Sequence, residues 1–310
     1  MPLPLLLAAL IAASPAERAV TALGPGGLLA GTLVDAGKGS PTVLLIPGSG
    51  PTDRDGNSPL GVKAGPYRQL AEALAKEGVS TVRIDKRGMF GSKRAVASAN
   101  RATMADYAKD TRAWIASIRR ETGVKCVWLL GHSEGGLVAL TAAQKTTGIC
   151  GVIAVATVGR KIGTVLRGQL AANPANEPYL AAANSAIASL EAGKRVDTRS
   201  LPTPLRKLFA EDVQSLLIDL FAENPARLAA SLKVPLLIIQ GERDIQVTVA
   251  DAKALAAAQP RAKLVLLPGV NHVLKIPQGT DRAANLRAYA DPSLPIAPAA
   301  VNAIAEFVKS

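Results

Sequence analysis

One serine stands between a histidine and a glutamate in Gly131-His132-Ser133-Glu134-Gly135-Gly136, after an apolar run and before a helix-like pattern. G-x-S-x-G at such a junction is the arrangement that raises a serine hydroxyl into solvent on a strained turn. The flanking glycines remove side chains that would collide with neighbouring backbone. The helix N-terminus behind the serine favours developing negative charge. The same residues could also form an ordinary tight strand-to-helix turn, so the choice depends on partners elsewhere in the chain.

A serine hydroxyl needs a base to take its proton. The chain has two histidines. The His132 side chain should point away from that of adjacent Ser133, and a packed or hydrogen-bonded place behind the site is expected for it. His272, in LPGVNHVL, follows an apolar run and sits where a loop can reach over a sheet edge. By elimination it is the base. The base needs a carboxylate to orient it. Asp244, in IIQGERDIQV, is favoured because the chain must turn after Gly241 before a side chain can swing towards the histidine. Glu242 is the near competitor. Two backbone N–H groups should then receive the oxyanion. One is that of Glu134, and the other should come from the loop PGSGPTDRDGNSP (47–59), with Ser49 as the candidate.

That loop lacks the lysine of a phosphate-binding loop, and its acidic residues would repel phosphate. Asp53, Arg54 and Asp55 could rim the site or simply brace the loop through salt bridges. The chemistry of the whole set is acyl transfer through a covalent acyl-serine. No cofactor is expected, and two histidines without ligand spacing make no zinc site.

Placing these residues requires a particular order of elements. Residues 28–34, 42–48, 79–85, 125–131, 150–158, 234–241 and 262–269 read as strands, being short, aliphatic or β-branched and bounded by turn residues. Helical spacing recurs at 66–78, 104–123, 135–148 and 249–259 and over the last fourteen residues. The alternation predicts an α/β domain with a mainly parallel sheet flanked by helices. Between residues 159 and 232 the pattern is helical only, punctuated by prolines. The expected organisation is a core of residues 17–158 and 233–310 carrying a helical cap insertion at 159–232. An ordinary packed helical excursion would look the same.

The composition agrees with a globular enzyme-sized domain: 310 residues, 48% apolar, formal net charge +12. The lysines and arginines are scattered and not interleaved with aromatics, which points to a solvated basic surface and not to nucleic-acid binding. Residues 1–16 hold a short apolar stretch and a small-residue site ending Ser14-Pro15-Ala16, without a basic start. They read as a secretory signal, too short to span a bilayer comfortably, with a membrane-retained anchor or a buried N-terminal element as the alternatives. A secreted or periplasmic location is expected, with no stable membrane association after cleavage. Cys126 and Cys150 each open an apolar run. If those runs are parallel neighbours, the two sulfurs lie at one end of the sheet and could pair; otherwise they are two buried thiols.

PGSGPTDRDGNSP, RIDKRGMFGS, GHSEGG, GERD, and NH followed by DPSLPIAP together resemble the α/β-hydrolase superfamily over essentially the whole chain after the leader. Within it they are similar to bacterial esterase-like members of the serine aminopeptidase and acyl-hydrolase branch. Pro47 departs from the commoner pattern, which has histidine before the oxyanion glycine. The resemblance implies an eight-stranded, mostly parallel sheet with a helical cap between the sixth and seventh strands. It also implies a triad in the order Ser133, Asp244, His272, acting on a small-molecule carboxylic ester of small or medium acyl group. Peptide, thioester or lactone hydrolysis on the same triad is the first rival. A non-catalytic binding protein on a degenerate fold is the second, and it would lack a triad member.

Overall fold

The computed structural model describes residues 16–310; the expected signal at 1–16 lies almost wholly outside them. The strands are β1 (Glu17–Gly24), β2 (Gly27–Val34), β3 (Thr42–Ile46), β4 (Ser80–Ile84), β5 (Val127–His132), β6 (Ile149–Val155), β7 (Leu236–Gly241) and β8 (Lys263–Leu267). They form one sheet in the order β1-β2-β4-β3-β5-β6-β7-β8. The β1–β2 and β2–β4 pairs are antiparallel, and the other five pairs are parallel.

The described helices are α1 (Pro66–Lys76), α2 (Met104–Thr122), α3 (Glu134–Ala142), α4 (Ile162–Ala171), α5 (Leu180–Glu191), α6 (Thr203–Arg206), α7 (Gln214–Ala222), α8 (Pro225–Ala230), α9 (Val249–Ala258), α10 (Arg282–Ala288) and α11 (Pro298–Lys309). The parallel strands β3, β4 and β7 are buried along their whole length, as strands covered on both faces must be. One face packs Leu44, Leu129 and Val152 against Trp114 of α2, Leu137 of α3 and Leu255 of α9. The other packs Leu45, Leu130 and Ile153 against Leu70 and Leu74 of α1 and Ile304 of α11. Helix α2 starts on a Thr103/Asp106 capping box and stops at Gly123, whose φ of 76° only glycine adopts at low cost.

The seven strands read from sequence are all present, and β1 adds the eighth. It is an edge strand whose side chains are largely exposed, so its eight residues lack the apolar run that marks the others. Between β6 and β7 the chain forms only helices. Helices α4, α5 and α7 bury Ile187, Leu190, Phe209 and Phe221 in a cluster separate from the two sheet faces. Helix α8 instead rejoins the body of the domain, with Ala229 packed in the first face cluster. Among the described residues no helix is long and apolar enough to cross a membrane.

Candidate active site

Strand β5 delivers Ser133 at the C-terminal edge of the sheet, immediately before α3. Its backbone stands at φ 55° and ψ −121°, a conformation that costs an L-residue about 1–3 kcal/mol. The turn is tight enough that glycine is required around it. A Cβ on Gly131 would sit 2.1 Å from the Gly135 carbonyl oxygen, and one on Gly135 would sit 2.2 Å from that of Ile46. So the glycines spaced around the serine are there for close backbone approach, as the sequence pattern implied.

His272 lies in the loop after β8 and is 4% exposed. Its Nδ1 lies 2.7 Å from Asp244 Oδ2. With Nδ1–H donated to the carboxylate, Nε2 of the neutral ring is left as the acceptor. Asp244 stands in the turn after β7. Its other oxygen accepts the Gln246 and Val247 N–H groups at 2.7 and 2.9 Å, and Gln240 Nε2 donates to Oδ2. Burial works to raise the Asp244 carboxyl, but the His272 partner and these donors outweigh it and hold the group below its ordinary value. Glu242 is exposed, and its backbone N–H is spent on Leu267. Of the two acids considered, Asp244 is therefore the one at the histidine.

The loops carrying acid and base are tied together by two asparagines. The Asn271 side-chain oxygen accepts the Val273 and Lys275 N–H groups, and its amide donates to Asn285. Asn285 in turn donates to the Arg243 carbonyl at 2.6 Å.

Ser133 and His272 line one cleft of about 300 Å³, together with Gly48, Ser49, Leu60, Val62 and Tyr289. Among the described residues no Asp, Glu, Lys or Arg lines it, and neither does any residue of 159–232. Among the described residues the Ser133 hydroxyl makes no hydrogen bond. Such catalytic contacts commonly close only around substrate. The Ser49 and Glu134 N–H groups likewise have no protein acceptor among the described residues. Pro47, the departure from the commoner pattern, leaves the Ser49 N–H in place.

His132 is the second histidine; it is 6% exposed and borders the cleft beside Tyr67. Tyr67 Oη accepts the Gly48 N–H at 3.1 Å and lies 2.8 Å from His132 Nδ1. The direction is set at the other ring nitrogen, because His132 Nε2 faces the His272 carbonyl, which can only accept; in the neutral ring Nδ1 is then the acceptor of the Tyr67 O–H. His132 then carries its proton on Nε2 and donates it to the His272 carbonyl at 2.8 Å. Burial, reinforced by the neighbouring His272, pushes His132 down to about 3. It is a neutral strut between the glycine loop and the loop of His272, hydrogen-bonded as expected.

The glycine loop is braced as the salt-bridge alternative foresaw. Asp53 accepts the Asp55 and Asn57 N–H groups. Arg54 pairs with buried Asp85, and Asp55 pairs with buried Arg83. Lys275, wholly buried, donates to the Ala64 and Asp291 carbonyls at 2.7 and 2.8 Å and closes the far end of the loop. Sequence reasoning missed Tyr67, Lys86, Asn285 and Lys275 as parts of this site. For Lys86 a signal existed: Asp85-Lys86-Arg87 puts three charges directly after a strand that is buried throughout.

At the opposite end of the sheet Cys126 and Cys150 form a disulfide, with Cα atoms 5.2 Å apart. Parallel pairing of β5 with β6 brings them there. Among the described residues no group of three or more His, Cys, Asp or Glu side chains is placed to hold a metal.

The chain belongs to the alpha/beta hydrolase family, whose model matches residues 43–286. Among known proteins it is similar to the esterase EstD of Thermotoga maritima, at 26% identity over 243 residues, covering 76% of this chain and 54% of that one. It thus spans about half the length of that relative. Among solved structures, an esterase of Pyrococcus furiosus matches at 19% identity with a TM-score of 0.59, over 96% of this chain and 93% of that one. A puromycin-hydrolyzing peptidase of Mycobacterium tuberculosis matches at 16% identity with a TM-score of 0.55, over 95% of this chain and 39% of that one. The two structural likenesses concern the fold, which hosts more than one hydrolytic chemistry.

Proposed function

We propose that the chain is a serine hydrolase that cleaves small, uncharged carboxylic esters through an acyl-enzyme. The observation that carries this reading is the strained Ser133 sharing a cleft with His272, whose far nitrogen is held by buried Asp244. Ser133 Oγ attacks the ester carbonyl as His272 Nε2 takes its proton. The Ser49 and Glu134 N–H groups receive the oxyanion, with the α3 N-terminus adding to the favourable field. His272 then protonates the leaving alcohol, and water repeats the sequence on the acyl-serine.

The cleft supports an ester over an aminoacyl amide. Among the described residues no carboxylate lines it to hold a substrate ammonium, and its volume near 300 Å³ suits a small or medium acyl group. The similarity to an esterase at 26% identity points the same way. The test is covalent labelling with a fluorophosphonate followed by peptide mapping. Modification of Ser133, with loss of p-nitrophenyl ester turnover in proportion, is expected. Labelling elsewhere with turnover retained overturns the reading.

We also place the protein outside the cytoplasm. Residues 1–16 read as a leader, and a Cys126–Cys150 bond suits an oxidising compartment. N-terminal sequencing of exported protein should begin near Glu17; a chain still starting at Met1 counts against a cleaved leader.

A further inference from the structure

Three consecutive charged residues follow β4, and all are buried: Asp85, Lys86 and Arg87 are 2%, 4% and 6% exposed. A buried charge is costly unless it is paired. Asp85 holds Arg54, and Arg87 holds Asp110 of α2. Lys86 does something different, because it runs between the two backbone segments that flank Ser133. Its Nζ donates to the Gly48 carbonyl at 2.7 Å and to Glu134 Oε1 at 2.9 Å. The Tyr107 ring, its centroid 5.3 Å from Nζ, lies against the ammonium as well.

The Gly48 carbonyl and the Ser49 N–H belong to one planar peptide group, and in a trans peptide they point in opposite directions. Holding the carbonyl back on buried Lys86 therefore turns the Ser49 N–H forward, on the side where Gly48 and Ser49 line the cleft. The approach to the nucleophile is close, since a Cβ on Gly48 would lie 3.3 Å from Ser133 Cβ. The second contact fixes Glu134, whose own N–H opens α3 next to Ser133.

We propose that Lys86 is a positioning residue for the oxyanion hole. It clamps the Gly48–Ser49 peptide to Glu134 so that the two N–H groups converge on one point. This rests on the reading of Ser49 and Glu134 as the oxyanion donors. The ammonium also polarises the peptide it binds, which makes the Ser49 N–H a stronger donor in a low-dielectric setting. That gain grows as the substrate carbonyl becomes an oxyanion, so it acts on kcat more than on KM. Glu134 keeps the clamp neutral overall, and its side chain and its backbone thereby serve one structure.

Lys86→Met removes the donor and the charge while keeping a long side chain. The comparison is with wild type, in kcat and KM on p-nitrophenyl esters and in affinity for a trifluoromethyl ketone. That ketone adds Ser133 Oγ at its carbonyl carbon; the carbonyl π pair moves to oxygen and the hydroxyl proton to His272. The matched methyl ketone reports the ground state. The expected result is a fall in kcat of about 10- to 100-fold with KM within about threefold, short of the ~10²–10³-fold loss when a donor is deleted. The trifluoromethyl ketone weakens by the same factor as kcat, and the methyl ketone does not.

Equal weakening of both ketones, or a rate loss accounted for by fewer fluorophosphonate-titrated sites, overturns the proposal. Ser49→Pro deletes the N–H itself and separates the two levels of the argument. If S49P is impaired and K86M is not, the clamp is wrong and the donor assignment stands. If S49P is unimpaired, the donor assignment is wrong and the clamp falls with it. Should K86M not fold, K86M/E134Q leaves no lone buried charge and carries the same comparison.

Discussion

The loop of residues 47–65 and the helical segment of residues 159–232 both leave the sheet, and they are held by different balances of polar and apolar contact. The loop is pinned by buried polar contacts, with Arg54 on Asp85, Arg83 on Asp55, Lys86 on Gly48 and Lys275 on Ala64. The segment is held chiefly by an apolar cluster around Ile187, Leu190 and Phe209, with buried Gln214 bonding the Val196 and Phe209 carbonyls and Arg160 anchoring one end on buried Asp251, while pairs such as Arg199–Asp197 sit on its surface. Exposed pairs of that kind contribute little. The loop lines the cleft and the segment does not. Apolar packing fixes where an element lies, whereas directed hydrogen bonds fix which way a peptide faces, and only the second is needed where an N–H must meet an oxyanion.

The comparison can be broken by substitutions on either side of it. Ser133→Gly should cost at least ~10⁴-fold in kcat/KM. It should also raise the urea unfolding midpoint, because glycine relieves a φ of 55°. A variant that is inactive but less stable would deny that the elbow stores strain.

The next effect is pH dependence. In the fold His132 is held near 3, against about 6.5 when unfolded, so the unfolded chain binds the extra proton between those values. Its contribution is fully present above pH ~6.5 and is lost as pH falls towards 3, amounting to about 4–5 kcal/mol over that window. Urea midpoints at pH 7 and 4.5 should therefore fall for the wild type and change less for His132→Gln. Equal slopes would remove His132 from the account.

Phe209→Ala, inside the helical cluster, should cost about 3–5 kcal/mol of stability. It should leave kcat/KM per folded molecule and the acyl preference unchanged. A shifted preference would mean that the segment reaches the substrate after all. Val62→Phe is the smallest change. By filling the cleft it should lower the hexanoate-to-acetate ratio of kcat/KM by about tenfold, the scale of one or two methylene contacts.

What was legible in the sequence follows the same division. Ser133, Asp244 and His272 stand out because each residue type is scarce or sharply placed, and because each follows a strand whose pattern is plain. The strand and helix periods likewise expose the two faces of the sheet. By contrast Tyr67, Lys86, Asn285 and Lys275 bond to backbone atoms that lie close only in the folded chain, and such contacts leave no period to read. Lys275 looks like any surface lysine in HVLKIP until the fold buries it completely. Strand β1 was hidden for another reason: at an antiparallel edge most of its side chains face solvent. Asp244 could be ranked above Glu242 only through the turn expected after Gly241, and it is that turn after β7 that brings Asp244 to the histidine.

The Cys126–Cys150 bond also has a topological consequence. The chain between the two sulfurs contains β5, Ser133 and α3, so Ser133 rides on a covalently closed ring. A protease that cuts once within that ring cannot release either fragment. The nicked molecule would migrate as one chain until a reductant opens the loop, and the strand that carries the serine would stay tethered to its neighbour throughout.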